Sequence, residues 1–492
     1  MGTPVTRRSL LGGVTAFSIV PRHVLGGTRY VAPSDIVTLA MIGTGTEALR
    51  EMPPLLASPK LRVIAVCDPC RDAVGYRDWS RTGLLQSLRQ YLGKPGWRSE
   101  DAIPGGMLAG QDLVDTAYGK KSCTAYADFR EMLDKEKDLH AVKIMTPDHL
   151  HGVAAIAAMK RGKHVITHKP IANRLTEAQQ VIAMAKKSGV ATHFLPWDSN
   201  GSMDKVMAWI HDGAIGKLRA VHNWTNRPVW PQYATLPADR PAVPEGFNWD
   251  LWLGPEAERP YHPNYTHMVF RGWYDFGGGS MADMGHYSLW TVFNALELSA
   301  PTLVEPMASH HVDFDGSTIA RGRNDYSFPD ASIVRFRYPA SGSRPEVDLI
   351  WYEGGMRPPT PEELEREGSE LPAEGMMFTG DKGAILAGFR VENPRLLSER
   401  SPEPARERPR RDRNELSPGL TQWVEACKGG RPSPGSFTGA GAISEAVNLY
   451  AVALRTQQKL RWDAAAGKIT SPAEANRYLS REYRTGWDPQ NI

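Results

Sequence analysis

Only four cysteines occur in 492 residues, Cys67, Cys70, Cys123 and Cys427. They are too few and too scattered for a disulfide framework, so packing must hold the fold. Cys67 and Cys70 form a CxxC, but no second ligand pair accompanies it and Cys67 ends the apolar run VIAVC; a buried strand cysteine, with no metal, is the expectation. Charge of one sign is also missing, with 58 Lys and Arg against 55 Asp and Glu and a formal net charge of +3. That balance gives no basis for a nucleic acid partner. No run approaches the roughly 20 apolar residues of a membrane helix, so no transmembrane span is expected. No internal repeat is visible.

What is present begins at the N-terminus. Arg7-Arg8 precedes Ser9-Leu10-Leu11 and an uncharged, moderately apolar stretch to about Val20, the pattern of a twin-arginine signal. Residues 1–31 are read as signal and linker, implying export of a folded, cofactor-loaded protein to the periplasm. No clear small-x-small cleavage site follows, which leaves open retention at the membrane by an uncleaved signal.

From Ile36 to Ile42 runs a continuous apolar segment with β-branched residues, as for a parallel strand buried on both faces. Gly43-Thr44-Gly45-Thr46-Glu47-Ala48 opens a helix, and Leu61 to Cys67 is a second strand closed by Asp68-Pro69. Strand and helix then alternate to about residue 199, which gives an α/β Rossmann domain over 32–199. A stretch of about 72–122, rich in Gly, Arg and polar residues, reads as a surface insertion with the character of a lid. From about residue 200 the rhythm changes. Tryptophans and prolines cluster between Trp224 and Trp273, and 333–338 and 347–352 read as antiparallel strands. A C-terminal α+β domain with an open, largely antiparallel sheet is expected over 200–492, serving substrate binding and oligomerisation. Ser398 to Asn414 reads as a solvated loop.

The glycine motif has a mechanical rationale. Gly43 permits the tight turn, Gly45 lets backbone approach a pyrophosphate, and Ala48 lets helix and strand pack closely. Asp68, about 20 residues on, is placed to accept from the adenosine ribose and would repel a 2′-phosphate. NAD is therefore favoured, while Arg71 leaves NADP open.

IGTGTEA, VCDPCR, TPDHLHGVAAIAAMKRGKHV, the His168-Lys169-Pro170 triplet, WDLWLGP and GGGSMADMGHYSLW together resemble the glucose–fructose oxidoreductase, inositol dehydrogenase and rhizopine catabolism (Gfo/Idh/MocA) family over nearly all the chain beyond the signal. The resemblance implies that Lys169 is the catalytic lysine beside the nicotinamide and that Pro147 and His151 belong to a cofactor-contacting loop. It also implies homo-oligomers. One departure is plain: the family pattern is Glu-Lys-Pro, and His168 stands where the glutamate should, against the cofactor and next to Lys169. In the second element the family spacing of acid and base falls on Asp283 and Tyr287, with His286 one residue early. Tyrosine at that place is similar to glucose–fructose oxidoreductase, which is exported by the twin-arginine route and holds its cofactor tightly. On an α-helix Asp283 and Tyr287 share a face while His286 points about 60° away. Tyr287 is thus preferred as base over His286, its phenolate stabilised by the Lys169 ammonium, with Asp283 orienting substrate or lysine.

Among the aromatic residues of the second domain, Arg227 and Trp230 are expected to touch substrate first. The expectation is an NAD(P)-dependent oxidoreductase acting at a secondary hydroxyl or ketone of a sugar, polyol or glycoside, with tightly bound cofactor. Two alternatives stay open: an NAD-dependent glycosidase using transient oxidation and elimination, and a sugar-binding homologue with little turnover.

Overall fold

The structure is a computed structural model that describes residues 35–194, 202–397 and 414–492. The twin-arginine segment and nearly all of the Ser398–Asn414 run lie outside these residues.

The first half alternates as β1 (Val37–Ile42), α1 (Thr46–Ala57), β2 (Leu61–Cys67), α2 (Gly83–Leu92), α3 (Met107–Tyr118), β3 (Thr124–Tyr126), α4 (Phe129–Lys135), β4 (Ala141–Ile144), α5 (Asp148–Lys160), β5 (His164–Thr167), α6 (Leu175–Ser188) and β6 (Thr192–Phe194). Every pairing is parallel and the order is β3-β2-β1-β4-β5-β6. This is the doubly wound Rossmann arrangement, whose strand order reverses between β1 and β4 and opens a crevice at the strands' carboxyl ends. Leu39, Ala40, Met41, Val142 and Ile144 are fully or almost fully buried, as expected for strands covered on both faces.

Beyond it come α7 (Met203–His211), β7 (Leu218–Trp224), α8 (Trp249–Leu253), α9 (His286–Ala295), β8 (Leu303–Ser309), β9 (Val312–Asp315), β10 (Thr318–Arg321), β11 (Ala331–Tyr338), β12 (Val347–Glu353), α10 (Glu362–Arg366), β13 (Gly375–Gly380), β14 (Ala384–Ala387), β15 (Arg395–Leu396), α11 (Pro418–Cys427), α12 (Gly441–Thr456), β16 (Leu460–Asp463) and β17 (Lys468–Ser471). Nine of these strands form one sheet, β15-β14-β13-β7-β12-β11-β8-β16-β17, antiparallel except for β7 beside β12. In β11 the alternation is strict: Val334, Phe336 and Tyr338 are buried while Ile333, Arg335 and Arg337 on the other face stay partly exposed. That period of two marks a sheet with one packed and one open face.

Two features differ from the sequence reading. The stretch 72–122 is not a pure surface excursion, because α3 lies within it and is the crossover helix between β2 and β3, with Ala109, Leu113 and Val114 fully buried. The boundary at 199 and 200 is also crossed. Helix α11 returns to the parallel sheet, where Trp423 is fully buried and its indole N–H donates to the Ala191 carbonyl at 3.3 Å.

Candidate active site

The cavity lies where the topology opens the crevice. It encloses about 300 Å³ and runs from Gly43, Gly45, Ala48 and Asp68 past Pro147 to His168, Lys169, Arg227, Trp230, Asp283 and Tyr287. Eleven separate expectations from sequence thus converge on one space.

At its dinucleotide end, Gly43 has φ +91°, and a Cβ there would stand 2.7 Å from the Met145 backbone. Only glycine fits that turn. Gly45 caps α1 without any side-chain hydrogen bond to the first turn, so the N–H groups at the helix start are free for an anion. Asp68 is anchored rather than free: its oxygens accept from the Thr44 and Cys70 amides at 2.8 and 2.9 Å. Burial nevertheless pushes its carboxyl up to about 6, against those hydrogen bonds. Tyr76 closes this end. Its ring lies against His267, centroids 4.0 Å apart, and would be 3.2 Å from a Cβ on Gly45. The turn, the open helix start and the acid together fit a dinucleotide.

At the other end, Lys169 follows β5 and Asp283 sits on a single π-helical turn, Met281–Gly285, that leads into α9. The Lys169 Nζ donates to Asp283 Oδ1 at 2.6 Å. Arg227 Nε stands 3.5 Å and Arg271 Nε 3.6 Å from the same carboxylate. Burial alone would raise the Asp283 carboxyl, but Lys169, Arg271 and Arg227 hold it well below the ordinary range. Burial lowers the Lys169 ammonium, and Asp283 opposes that. Arg271 is itself held by Asp148 at 3.1 Å.

The Tyr287 hydroxyl stands 3.3 Å from His168 Nε2, while Lys169 Nζ lies over the ring face, 5.3 Å from its centroid. Burial, Glu51 and Glu47 push the phenol well above its usual value. His168 is pushed down to about 4 by burial and Lys169, partly against Glu51. It is neutral at ordinary pH and free to accept.

Three expected residues are elsewhere. His286 is fully buried, donates from Nδ1 to the Ala282 carbonyl at 3.1 Å, packs edge-on against Phe194 and does not line the cavity. Asp283 and Tyr287, four residues apart, face the cavity together, while His286 turns to the core, as helical spacing predicts. Arg71 is exposed beside Gly246; Arg77, on the following loop, lines the cavity instead. His151 is a brace and no lining residue. Its ring bridges the Pro170 and Thr146 carbonyls at 2.5 and 2.8 Å, tying the Pro147 loop to the segment after Lys169.

Sequence reasoning missed Glu51, on α1, whose Oε1 is 3.5 Å from His168 Nε2. It also missed Tyr76 and Trp79 in the supposed insertion, and Arg390, whose guanidinium stands 4.3 Å from the Tyr287 ring centroid. Of the aromatic cluster, Trp224 and Trp273 are fully buried and structural. No group of three or more His, Cys, Asp or Glu suited to a metal occurs among the described residues, and none of their helices is long and apolar enough to cross a membrane.

Residues 110–195 match the model of an oxidoreductase family with an NAD-binding Rossmann fold, and residues 204–313 match the C-terminal alpha/beta domain of the same family. Levoglucosan dehydrogenase of Pseudarthrobacter phenanthrenivorans is 33% identical over 103 residues, 20% of this chain and 25% of that protein. The dTDP-3,4-didehydro-2,6-dideoxy-alpha-D-glucose 3-reductase of Streptomyces antibioticus is 24% identical over 259 residues, 52% of this chain and 56% of that one. The matched segments thus span a quarter and just over half of these relatives. Among solved structures, an NAD binding oxidoreductase from Klebsiella pneumoniae superposes with a TM-score of 0.52 at 14% identity, covering 86% of this chain and 98% of that one. The likeness is one of fold. The two matched regions follow one another in the order of the two sheets, and over them the chain is similar to the NAD-binding and C-terminal domains of the Gfo/Idh/MocA oxidoreductase family.

Proposed function

We propose that this protein moves a hydride between a nicotinamide dinucleotide and a secondary hydroxyl or ketone of a sugar, polyol or glycoside. The observation that carries the reading is a single cavity joining the glycine turn and Asp68 to the Lys169, Asp283 and Tyr287 cluster. When bound, the dinucleotide supplies the hydride acceptor or donor. Gly43, Gly45 and the start of α1 would hold its pyrophosphate, and Asp68 its ribose. The chain's own groups handle the proton and the charge. In the oxidation direction the substrate hydroxyl gives its proton to the Tyr287 oxygen as the phenolic proton passes to His168 Nε2. Lys169, fixed by Asp283, faces the substrate oxygen and steadies the charge that develops there. Arg227 and Trp230 line the space left for the sugar ring. Trp230 is buried and its indole N–H has no partner among the described residues, which suits an acceptor hydroxyl.

The relatives' names, a levoglucosan dehydrogenase and a nucleotide-sugar 3-reductase, support a carbohydrate substrate. Asp68 favours NAD; Arg77 is the residue that would meet a 2′-phosphate. Tight cofactor retention, twin-arginine export to the periplasm and homo-oligomerisation complete the proposal, the second resting on Arg7-Arg8 and the apolar stretch behind them.

The test is direct. Purified protein is mixed with NAD⁺ or NADP⁺ and a panel of sugars, polyols and aryl glycosides, while reduced nicotinamide absorbance and aglycone release are followed. Net reduction by one sugar or polyol without release is expected. Release without net reduction would transfer the assignment to a glycosidase, and a chain that binds no dinucleotide would end the proposal.

Asp68 gives a second check. Its carboxylate is the ribose acceptor, so affinity must fall as protons bind below the shifted value of about 6. Between about pH 7 and about pH 5 the dissociation constant for NAD⁺ is expected to rise about tenfold. Fluorescence titration reads this directly; a flat profile would remove Asp68 from the contact.

A further inference from the structure

Lys143 lies in the middle of β4, the strand beside the switch point, and is 1% exposed. An ammonium there requires a partner, and it has one: its Nζ donates to Glu51 Oε2 at 2.5 Å. The other oxygen of Glu51 lies 3.5 Å from His168 Nε2, which stands 3.3 Å from the Tyr287 hydroxyl. A continuous line therefore runs from the core of the parallel sheet to the cavity wall, as ammonium, carboxylate, imidazole and phenol.

The charged and titratable groups around His168 come from four elements. Glu51 projects from α1 with Lys143 of β4 behind it, Lys169 follows directly, Arg271 lies in the 3₁₀ segment His267–Gly272, and Tyr287 and His286 come from α9. Lys169 and Arg271 both disfavour a cationic ring. Glu51 is the anion that favours it.

We propose that Glu51 is a positioning residue for the reaction: it orients His168 and balances the imidazolium that forms when Tyr287 hands on the substrate proton. The carboxylate absent from the strand end at position 168 is thereby supplied from α1. The step balances. The substrate O–H breaks and its proton goes to the Tyr287 oxygen, the phenolic proton goes to His168 Nε2, and Glu51 Oε1, 3.5 Å from that nitrogen, balances the charge of the imidazolium while the carbinol hydride leaves to the dinucleotide. Lys143 keeps Glu51 ionised throughout; burial pushes that carboxyl up, but Lys143 and His168 hold it well below the ordinary range. This rests on the oxidoreductase reading for its turnover and on geometry alone for the pairing.

The experiment has one arm for each. In the full-length protein with ¹⁵N-labelled histidine, assigned through His168→Gln, the His168 midpoint is expected at about 4. In Glu51→Gln it is expected to fall by about one unit or more, so the ring stays neutral at the pH that half-titrates the wild type. An unchanged midpoint overturns the proposal whatever the enzyme turns over. In steady-state assays Glu51→Gln is expected to lose about 10- to 100-fold in kcat with KM unchanged. Glu51→Gln/His168→Glu returns the carboxylate to the strand end and is expected to recover at least about tenfold of that loss. A folded double variant that recovers nothing overturns the proposal. Should Glu51→Gln fail to fold, Lys143→Met added to it removes the unpaired ammonium and restores the comparison. A falling midpoint in a protein without any turnover would support the pairing and reject the oxidoreductase reading.

Discussion

Replacing Lys169 with methionine is expected to lower kcat by about two to four orders of magnitude while NAD⁺ affinity stays within about threefold. The separation follows from where its charge is used. Lys169 is 5% exposed and its Nζ donates to Asp283, whereas the glycine turn and Asp68 would hold the dinucleotide through backbone and carboxylate. Its loss leaves Asp283 with Arg227 and Arg271 at 3.5 and 3.6 Å, so the buried carboxylate keeps cationic neighbours and the fold should hold. What disappears is the cation that can face a substrate oxygen, a contribution that grows with the charge developing there. Methionine keeps the length of the stem and isolates that effect from packing. Turnover within tenfold of wild type, with dinucleotide binding intact, would remove Lys169 from the chemistry.

Arg481→Met is expected to cost about 3–5 kcal/mol of stability, the range for breaking a buried ion pair from one side. Arg481 is 3% exposed and holds Glu177 of α6, itself fully buried, through Nε at 2.6 Å and Nη2 at 3.1 Å. It also pairs with Glu256 and donates to Asn173. Glu256 keeps Arg174 at 3.3 Å, whereas Glu177 would lose its guanidinium. Asn173 and Arg174 follow closely on Lys169, so the C-terminal tail clamps the segment that carries the lysine. Adding Glu177→Gln should return part of the loss by removing the stranded charge. Urea unfolding followed by tryptophan fluorescence measures both, and a loss below about 1 kcal/mol in Arg481→Met would show that the network is not paired as described.

Local patterns carried much of this protein. Apolar runs at β1, β2 and β5 gave the parallel strands, since a strand covered on both faces must be apolar at every position. The glycine at 43 and the acid at 68 could be placed because a tight turn and a strand-end carboxylate leave short-range signatures. The crossover helix α3 was harder to see, lying 39 residues beyond the end of β2, behind a loop that supplies Tyr76 and Trp79 to the cavity. Helix α11 gave no sign of its destination, since an amphipathic helix does not declare which sheet it covers.

By itself the sequence determined the fold class and the glycine turn, and its resemblance to a family singled out Lys169, Asp283 and Tyr287 as candidates, because each depends on residues close in the chain or on a motif of fixed spacing. The tertiary structure decided which neighbours those groups meet. His286 packs in the core against Phe194, and Tyr287 meets His168 at the cavity wall. Glu51, read only as a helix residue, meets a histidine 117 positions later. Charges act through space over a few ångströms, and which charges come that close is fixed by the packing of α1 against β4 and β5, a distance no local pattern contains.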